Sequence, residues 1–407
     1  MHILISAGEA SGDMYGAQLI EAMRRASQPP TLRVGVDGSE TRPHTDLAFF
    51  GAGGERMRAA GCEIVVDAKD LAVVGITEIL SHLPKIYGLF RKLIRAAEDK
   101  HPKLAIVIDA PAFNWRVARQ MRKRRIPVVY YVCPQFWAWR QGRVKLLRKY
   151  INQALVIFPF EENFYRVHGV NATFVGHPLA DLPAPDISRM HYAAQQALDH
   201  VKSWITLMPG SRRKEVRMNL PTILEAAAKL GQEYEFLLPV ARTLEPSFLK
   251  ELIGNRDIHL VPEALPALHH SRAGIIASGT ATVEAALMGT PFVMVYRVSP
   301  LTYALGKPRV KVSHFAMVNL IAEERIVPEL VQHEFTAGSV VAELRKIIPD
   351  GEPRTRMLQG LASVKAKLKK PDQTRGHASE RAAEVILGML RAGTAAPDSL
   401  QAPELWG

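Results

Sequence analysis

The chain has 407 residues, 47% hydrophobic and 23% charged, which is enough for two substantial domains, each with its own core. Its two cysteines, Cys62 and Cys133, form no C-x-x-C pair; this excludes a zinc ribbon or disulfide framework and fits a reducing compartment. A formal net charge of +12 admits nucleic acid, an anionic membrane or phosphorylated substrates and does not choose among them.

The opening Met-His-Ile-Leu-Ile-Ser-Ala-Gly has no basic n-region and no long apolar stretch, so no signal peptide is expected. Residues 2–6 read as a strand, Ala7-Gly8-Glu9-Ala10-Ser11-Gly12-Asp13 as a glycine loop, and the following pattern as a helix to about Arg25. The spacing is not G-x-G-x-x-G, which gives little support to a dinucleotide site. Residues 28–46, rich in Pro, Gly, Thr and charge, read as a surface loop or insertion. Strands are expected at 47–51 and 63–66, with a turn at Ala52-Gly53-Gly54. Residues 71–93 are strongly apolar, flanked by Lys85, Arg91, Lys92 and Arg95. That profile suits a basic amphipathic helix on a membrane surface, and equally a core helix with a solvated basic edge.

Strands at 104–109, 128–132 and 155–158 alternate with basic helices at 116–125 and 140–149. The arginine and lysine runs of those helices come with no nucleic-acid-binding motif. Between 175 and 204 the chain turns polar, with Pro183 and Pro185, the best candidate for a domain junction. A second series follows: strands at 204–208, 234–239, 258–261, 273–277 and 292–296, with helices at 221–229, 247–253 and after Thr280. Residues 337–391 are helical by period, and the tail beyond 393 reads as disordered. Such alternation implies parallel sheets covered by helices, with ligands beyond the carboxyl ends of the strands.

Two turns at strand ends suit a phosphate. In Ser278-Gly279-Thr280 a helix start offers backbone N–H groups and a positive dipole end, and Glu284 lies one turn in, where it can hold two sugar hydroxyls. Alone, the stretch reads first as a helix capped by Thr280, its dipole offset by Glu284. In Pro209-Gly210-Ser211-Arg212, Gly210 and Ser211 offer donors and Arg212 bidentate contacts; the plain alternative is a capped helix with exposed arginines. Together the two turns point to a nucleotide diphosphate. Asp109 ends an apolar run and precedes Ala-Pro, which suits either a general base at a strand end or a helix cap. The sequence has no H-E-x-x-H, no G-x-S-x-G, no Walker A lysine and no D-x-D.

In order along the chain, these pieces resemble one family, the lipid-A-disaccharide synthases, glycosyltransferases of the GT-B fold. The pieces are Ala7 to Asp13, Gly61-Cys62-Glu63, Leu71 to Glu78, Ile108-Asp109-Ala110-Pro111-Ala112-Phe113-Asn114 and Trp137-Ala138-Trp139-Arg140. Pro159-Phe160-Glu161, Val175 to Asp181, Pro209 to Arg212, Ser278-Gly279-Thr280, Asn319 and Val327 to Gln332 complete them. The resemblance spans residues 1 to about 335. It departs at Ala112, where the family often has an acidic residue, and at Val318, where a proline is common.

The resemblance implies an α/β chain with two Rossmann-like domains whose parallel sheets face a central cleft. It places an acceptor-side domain at 1–180, a UDP-donor domain at 181–370 and a C-terminal helix at 371–392 packing back on the first. It implies an inverting transfer from UDP-2,3-diacylglucosamine to lipid X, 2,3-diacylglucosamine 1-phosphate, without metal or cofactor. Asp109 is then the base. Gly210, Ser211, Arg212, Ser278, Gly279, Thr280, Glu284 and Asn319 hold the donor, and Gly8, Glu9, Ser11, Gly12 and Asn114 form the acceptor loop. The expected setting is the cytoplasmic face of the inner membrane, reached through residues 71–95. Nucleic acid is not expected, and a homodimer is left open. The alternatives are another GT-B UDP-sugar enzyme, such as a peptidoglycan-precursor transferase or a UDP-sugar epimerase, and a basic nucleic-acid-binding protein.

Overall fold

The computed structural model describes residues 1–27, 47–71, 76–139, 141–181, 184–241, 243–300, 303, 312–369 and 376–393. The expectations for 28–46 and for the tail beyond 393 fall outside them. The chain divides into two compact units, Met1–Pro178 with Asp372–Gly407, and Leu179–Pro371.

The first unit holds a parallel sheet of β1 (His2–Ala7), β2 (Ala48–Gly53), β3 (Cys62–Asp67), β4 (Leu104–Ile108), β5 (Val128–Tyr131), β6 (Gln153–Val156) and β7 (Ala172–Phe174). Their order is β3-β2-β1-β4-β5-β6-β7. The second holds β8 (Ser203–Met208), β9 (Tyr234–Pro239), β10 (His259–Val261), β11 (Ala273–Ala277), β12 (Phe292–Tyr296) and β13 (Glu329–Val331), ordered β10-β9-β8-β11-β12-β13. Both are doubly wound α/β sheets, as expected. In each, the strand order reverses once, between β1 and β4 and between β8 and β11, and open α/β sheets bind ligands beyond the strand ends at that point. Every residue of β4 and β11 is buried, as strands covered on both faces require.

Some boundaries shift for identifiable reasons. The turn expected at 52–54 is partly strand: β2 runs to Gly53, with a register shift between Gly51 and Ala52. A Cβ on Gly51 would lie 1.9 Å from the Ile5 carbonyl oxygen, so the glycine marks a close backbone approach inside the strand. β6 starts at Gln153, two residues before expectation. The polar side chain is buried and satisfied, giving a bond to Thr173 Oγ1 (3.0 Å) and accepting one from Asn171 (2.6 Å). The helices expected from 116 and 221 start at Pro111 and Arg213. Pro111 occupies a first-turn position, where its missing N–H is harmless, whereas Pro221 sits inside its helix. Helix Arg189–Gln196 lies in the stretch read as a polar junction.

Helix Ala378–Arg391 packs on helix Ala10–Ser27 of the first unit. There Arg25 pairs with Glu380 (3.3 Å) and Arg381 Nε donates to the Val175 carbonyl (2.6 Å). Helix Ile76–Lys100 has the apolar stripe expected of 71–93, but from residue 84 onward that stripe faces the domain's own core. Leu93, Ile94 and Ala97 are buried, and Ile86, Leu89 and Phe90 pack partly buried against the same cluster. Its outer face carries Tyr87, Arg91, Lys92 and Arg95, all exposed.

Candidate functional site

Most of the candidate residues collect at the two reversal points. In the second unit, Met208 near the end of β8 lies opposite Ile276 of β11, so the turns that follow these strands are neighbours. Gly210 and Gly279 adopt φ of +123° and +133°, conformations that side-chain-bearing residues rarely take. Gly279, not Thr280, is the N-cap of helix Thr280–Met288, and no side chain caps that end. The helix's first N–H groups lack intrahelical partners by construction. A Cβ on Gly279 would meet no heavy atom within 4 Å, so open space lies in front of a positive helix end. Thr280, Ser211 and Arg212 are exposed, and Arg212 reaches Glu215 at 3.2 Å.

Glu284 lies one helical turn inside this end. It is partly buried, and among the described residues its carboxylate has no hydrogen-bond or ionic partner. Burial alone pushes its pKa up to about 7. A carboxylate left without donors in a partly enclosed position is suited to accept hydroxyl protons from a ligand.

Asn319 differs from its expected role. Its side chain is fully buried and spent within the protein. Nδ2 donates to the Val327 carbonyl and to Glu329 Oε1, both at 2.9 Å, while Oδ1 accepts from the backbone N–H of Ile326 (2.9 Å) and Val327 (3.0 Å). Glu329 in turn accepts from the N–H groups of Phe315 (3.0 Å) and Ala316 (2.8 Å), and Ser278 Oγ donates to the Phe315 carbonyl (2.8 Å). Asn319 therefore braces the segment behind the Ser278 turn, its amide taken up by bonds within the protein. Asn219, which the sequence reading passed over, does the same for the other turn. It is fully buried, holds the Pro209 carbonyl (2.9 Å) and accepts from the Arg297 N–H (3.0 Å). Its one sequence signal is an amide on the apolar face formed with Val216, Leu220 and Ile223.

In the first unit, Ala7 of β1 pairs with Ile108 of β4, which places Gly8-Glu9 beside Asp109-Ala110. Asp109 is partly buried, and it and Ala110 are consecutive non-glycine residues at φ +46° and +45°. Left-handed geometry costs an L-residue roughly 1–2 kcal/mol, so something must hold it. Asn114, expected among acceptor contacts, is instead part of that hold. It is fully buried, with Nδ2 near the carbonyls of Ser6 (3.1 Å), Ile108 (2.8 Å) and Asp109 (2.9 Å). Gly12 packs its helix against Ala7, whose Cβ would be 3.2 Å from an added Cβ. Glu9 is exposed and Ser11 partly so. Asp13, in the same loop motif, accepts from the N–H groups of Gly54 (2.6 Å), Arg56 and Met57 (both 3.1 Å), capping helix Glu55–Ala59.

Two further motif pieces hold the fold. Trp137 Nε1 donates to Glu161 Oε1 (2.9 Å), whose other oxygen accepts from the N–H groups of Ile157 (3.2 Å) and Phe158 (3.1 Å). Burial pushes the Glu161 pKa up to about 7 against the pull of these three donors.

Comparison with known proteins identifies the family and the fold. The profile of the family described as Lipid-A-disaccharide synthetase matches residues 3–383. The chain is 49% identical over 395 residues to the lipid-A-disaccharide synthase of Koribacter versatilis, covering 96% of this chain and 99% of that one. It is 47% identical over 386 residues to that of Acidobacterium capsulatum, covering 91% and 92%. Among solved structures, a calicheamicin glycosyltransferase aligns over 96% of this chain and 98% of its own, with TM-score 0.55 and 16% identity. The UDP-GlcNAc 2-epimerase from Neisseria meningitidis bound to UDP-GlcNAc aligns over 96% and 100%, with TM-score 0.58 and 12% identity. At such identities these two likenesses speak to the fold alone, and that fold is GT-B.

Proposed function

The chain belongs to the lipid-A-disaccharide synthetase family and is a glycosyltransferase of lipid A biosynthesis, and we propose that its two strand-end clusters divide the reaction between them. The second unit holds the donor, UDP-2,3-diacylglucosamine. Its diphosphate sits on Gly210, Ser211, Arg212 and the helix start at Gly279-Thr280, and its ribose hydroxyls on Glu284. The first unit serves the acceptor, lipid X. Asp109 takes the proton of the attacking hydroxyl as that oxygen bonds to the anomeric carbon from the face opposite UDP. The bond from the anomeric carbon to the diphosphate breaks, its electron pair leaves with UDP, and Arg212 and the helix dipole stabilise the charge that develops. Inversion gives the β(1→6) disaccharide. The observation that carries this reading is the pairing of Met208 with Ile276, which makes neighbours of two glycine turns above an unpartnered carboxylate.

The test is a product assay with both defined acylated substrates, expected to yield disaccharide and UDP in equal amounts. UDP release with an epimerised free sugar and no disaccharide would move the chain to the epimerase reading.

The substrates are lipids, and among the described residues no helix is long and apolar enough to cross a membrane. The proposed contact is peripheral and basic. A groove of about 660 Å3 runs between Glu63–Val65 of β3 and the outer face of helix Ile76–Lys100, beside Arg91, Lys92 and Arg95. Among the described residues these three cations have no ion-pair partner, whereas Lys85 and Lys100 are paired with Asp70 and Glu63. Because Leu89 and Phe90 pack inward, the informative change is Arg91→Glu with Arg95→Glu. At low salt it is expected to abolish sedimentation with phosphatidylglycerol vesicles, and wild-type sedimentation would remove this face from membrane contact.

A further inference from the structure

We infer that Tyr130 and Asn114 are positioning residues that aim the Asp109 carboxylate by clamping the Asp109 backbone carbonyl, with Gly8 providing the space this geometry needs. The inference rests on Asp109 being the base.

The Asp109 carbonyl oxygen accepts two hydrogen bonds, from Tyr130 Oη at 2.7 Å and Asn114 Nδ2 at 2.9 Å. The same Asn114 nitrogen reaches the Ile108 and Ser6 carbonyls, and Ser6 Oγ donates to Asn114 Oδ1 at 2.7 Å, which fixes the orientation of the amide. Three adjacent strands and helix Pro111–Lys123 thus converge on one peptide: Ser6 from β1, Ile108 from β4, Tyr130 from β5 and Asn114 from the helix. Ser6, Tyr130 and Asn114 are fully buried. What they impose is the pair of left-handed residues at Asp109 and Ala110, which decides where the Asp109 Cα–Cβ bond points. Both clamp bonds end on the backbone carbonyl of Asp109, not on its carboxylate.

Gly8 belongs to the same device. A Cβ there would lie 2.6 Å from the Ala110 Cβ, closer than real Cβ contacts come. Any side chain at position 8 must push Ala110 and, with it, the clamped peptide.

A bond that merely held the fold would register in melting temperature alone; one that also aims a base registers in turnover and in the pH profile as well. Tyr130→Phe keeps the ring and removes one donor. It is expected to lower kcat by about 10-fold or more, the sensitivity of a reacting group displaced by a fraction of an ångström. Its affinity for UDP, bound by the other unit, should stay at the wild-type value and its melting temperature should fall only by what one buried hydrogen bond contributes, while the acid limb of its kcat/KM pH profile shifts. Gly8→Ala is expected to lose about 100-fold. The double variant Gly8→Ala with Ala110→Gly, which removes the other half of the clash, should regain most of that loss.

The outcomes separate the two layers of the reading. If Asp109→Asn retains wild-type turnover, the base assignment falls and takes this inference with it. If Asp109→Asn is inactive while Tyr130→Phe keeps wild-type turnover and pH profile, the base stands and the positioning role is overturned. A loss in Gly8→Ala that Ala110→Gly does not restore also overturns it, because Gly8 then acts by some route other than Ala110.

Discussion

Asp109→Asn is expected to lower turnover by about 100-fold or more while leaving UDP affinity unchanged. Asparagine suits the test for a structural reason. Asp109 sits at φ +46°, and asparagine is among the few side-chain-bearing residues that tolerate this region. The bonds from Asn114 and Tyr130 end on the backbone carbonyl of residue 109, so they survive the substitution. What disappears is the capacity to accept a proton from the acceptor hydroxyl. Alanine would be less clean, because it adds backbone strain to the loss of the carboxylate. UDP binding is the control, since the residues proposed to hold the diphosphate and ribose all lie in Leu179–Pro371. Steady-state rates with UDP titration calorimetry read both quantities, and wild-type turnover would take Asp109 out of the mechanism.

How much could be read from the sequence depended on how local each signal was. β9, β11 and β12 were legible to the residue, because each is an apolar run bounded by glycine, proline or polar residues. The strand–turn–helix rhythm likewise announced parallel sheets, and the phosphate-suited turns fell at the reversal point because that is where strand ends open onto free helix starts. The buried amides were not legible. Asn114, Asn219 and Asn319 look in sequence like ligand contacts or like nothing, yet all three close backbone carbonyls or N–H groups. Some of those partners are remote in the chain: Asn114 meets Ser6 across 108 positions, and Asn219 meets Arg297 across 78. Only the fold reveals such partners. The amphipathic stretch at 71–95 shows the same limit: periodicity found the apolar stripe, and only packing revealed that, from residue 84 onward, it faces inward.

Glu284 supports the second large effect, a dependence of donor binding on pH. In the empty protein its pKa is pushed up to about 7, so at pH 6 roughly a tenth of the molecules carry the ionised form, and at pH 8 roughly nine tenths. If two ribose hydroxyls donate to it, only the ionised form binds well, and apparent affinity scales with that fraction. UDP-glucose is the appropriate probe, because its diphosphate lacks the terminal ionisation near pH 6 that UDP itself carries. Calorimetry should show it binding about tenfold more tightly at pH 8 than at pH 6. Glu284→Gln should bind it with no such slope. Stability runs the other way. A carboxyl whose folded pKa lies above its unfolded value near 4.5 contributes stability fully below that value, and the contribution is lost as pH rises through 7. Glu284 therefore lowers the melting temperature at pH 8 relative to pH 6, against buried His177, whose pKa is pushed down to about 3 and which favours the folded state as pH rises through 6.5. Glu161, raised to about 7 in the other unit, adds to that slope but not to the binding slope. Removing Glu284 should accordingly take its own part out of the melting trend and flatten the binding trend in full. An affinity equal at both pH values in the wild-type protein, or a slope that persists in Glu284→Gln, would separate the carboxylate from the ribose. The opposed slopes also account for a carboxylate left without a donor in the empty protein: the burial that makes it unfavourable there is what the donor's hydroxyls would relieve.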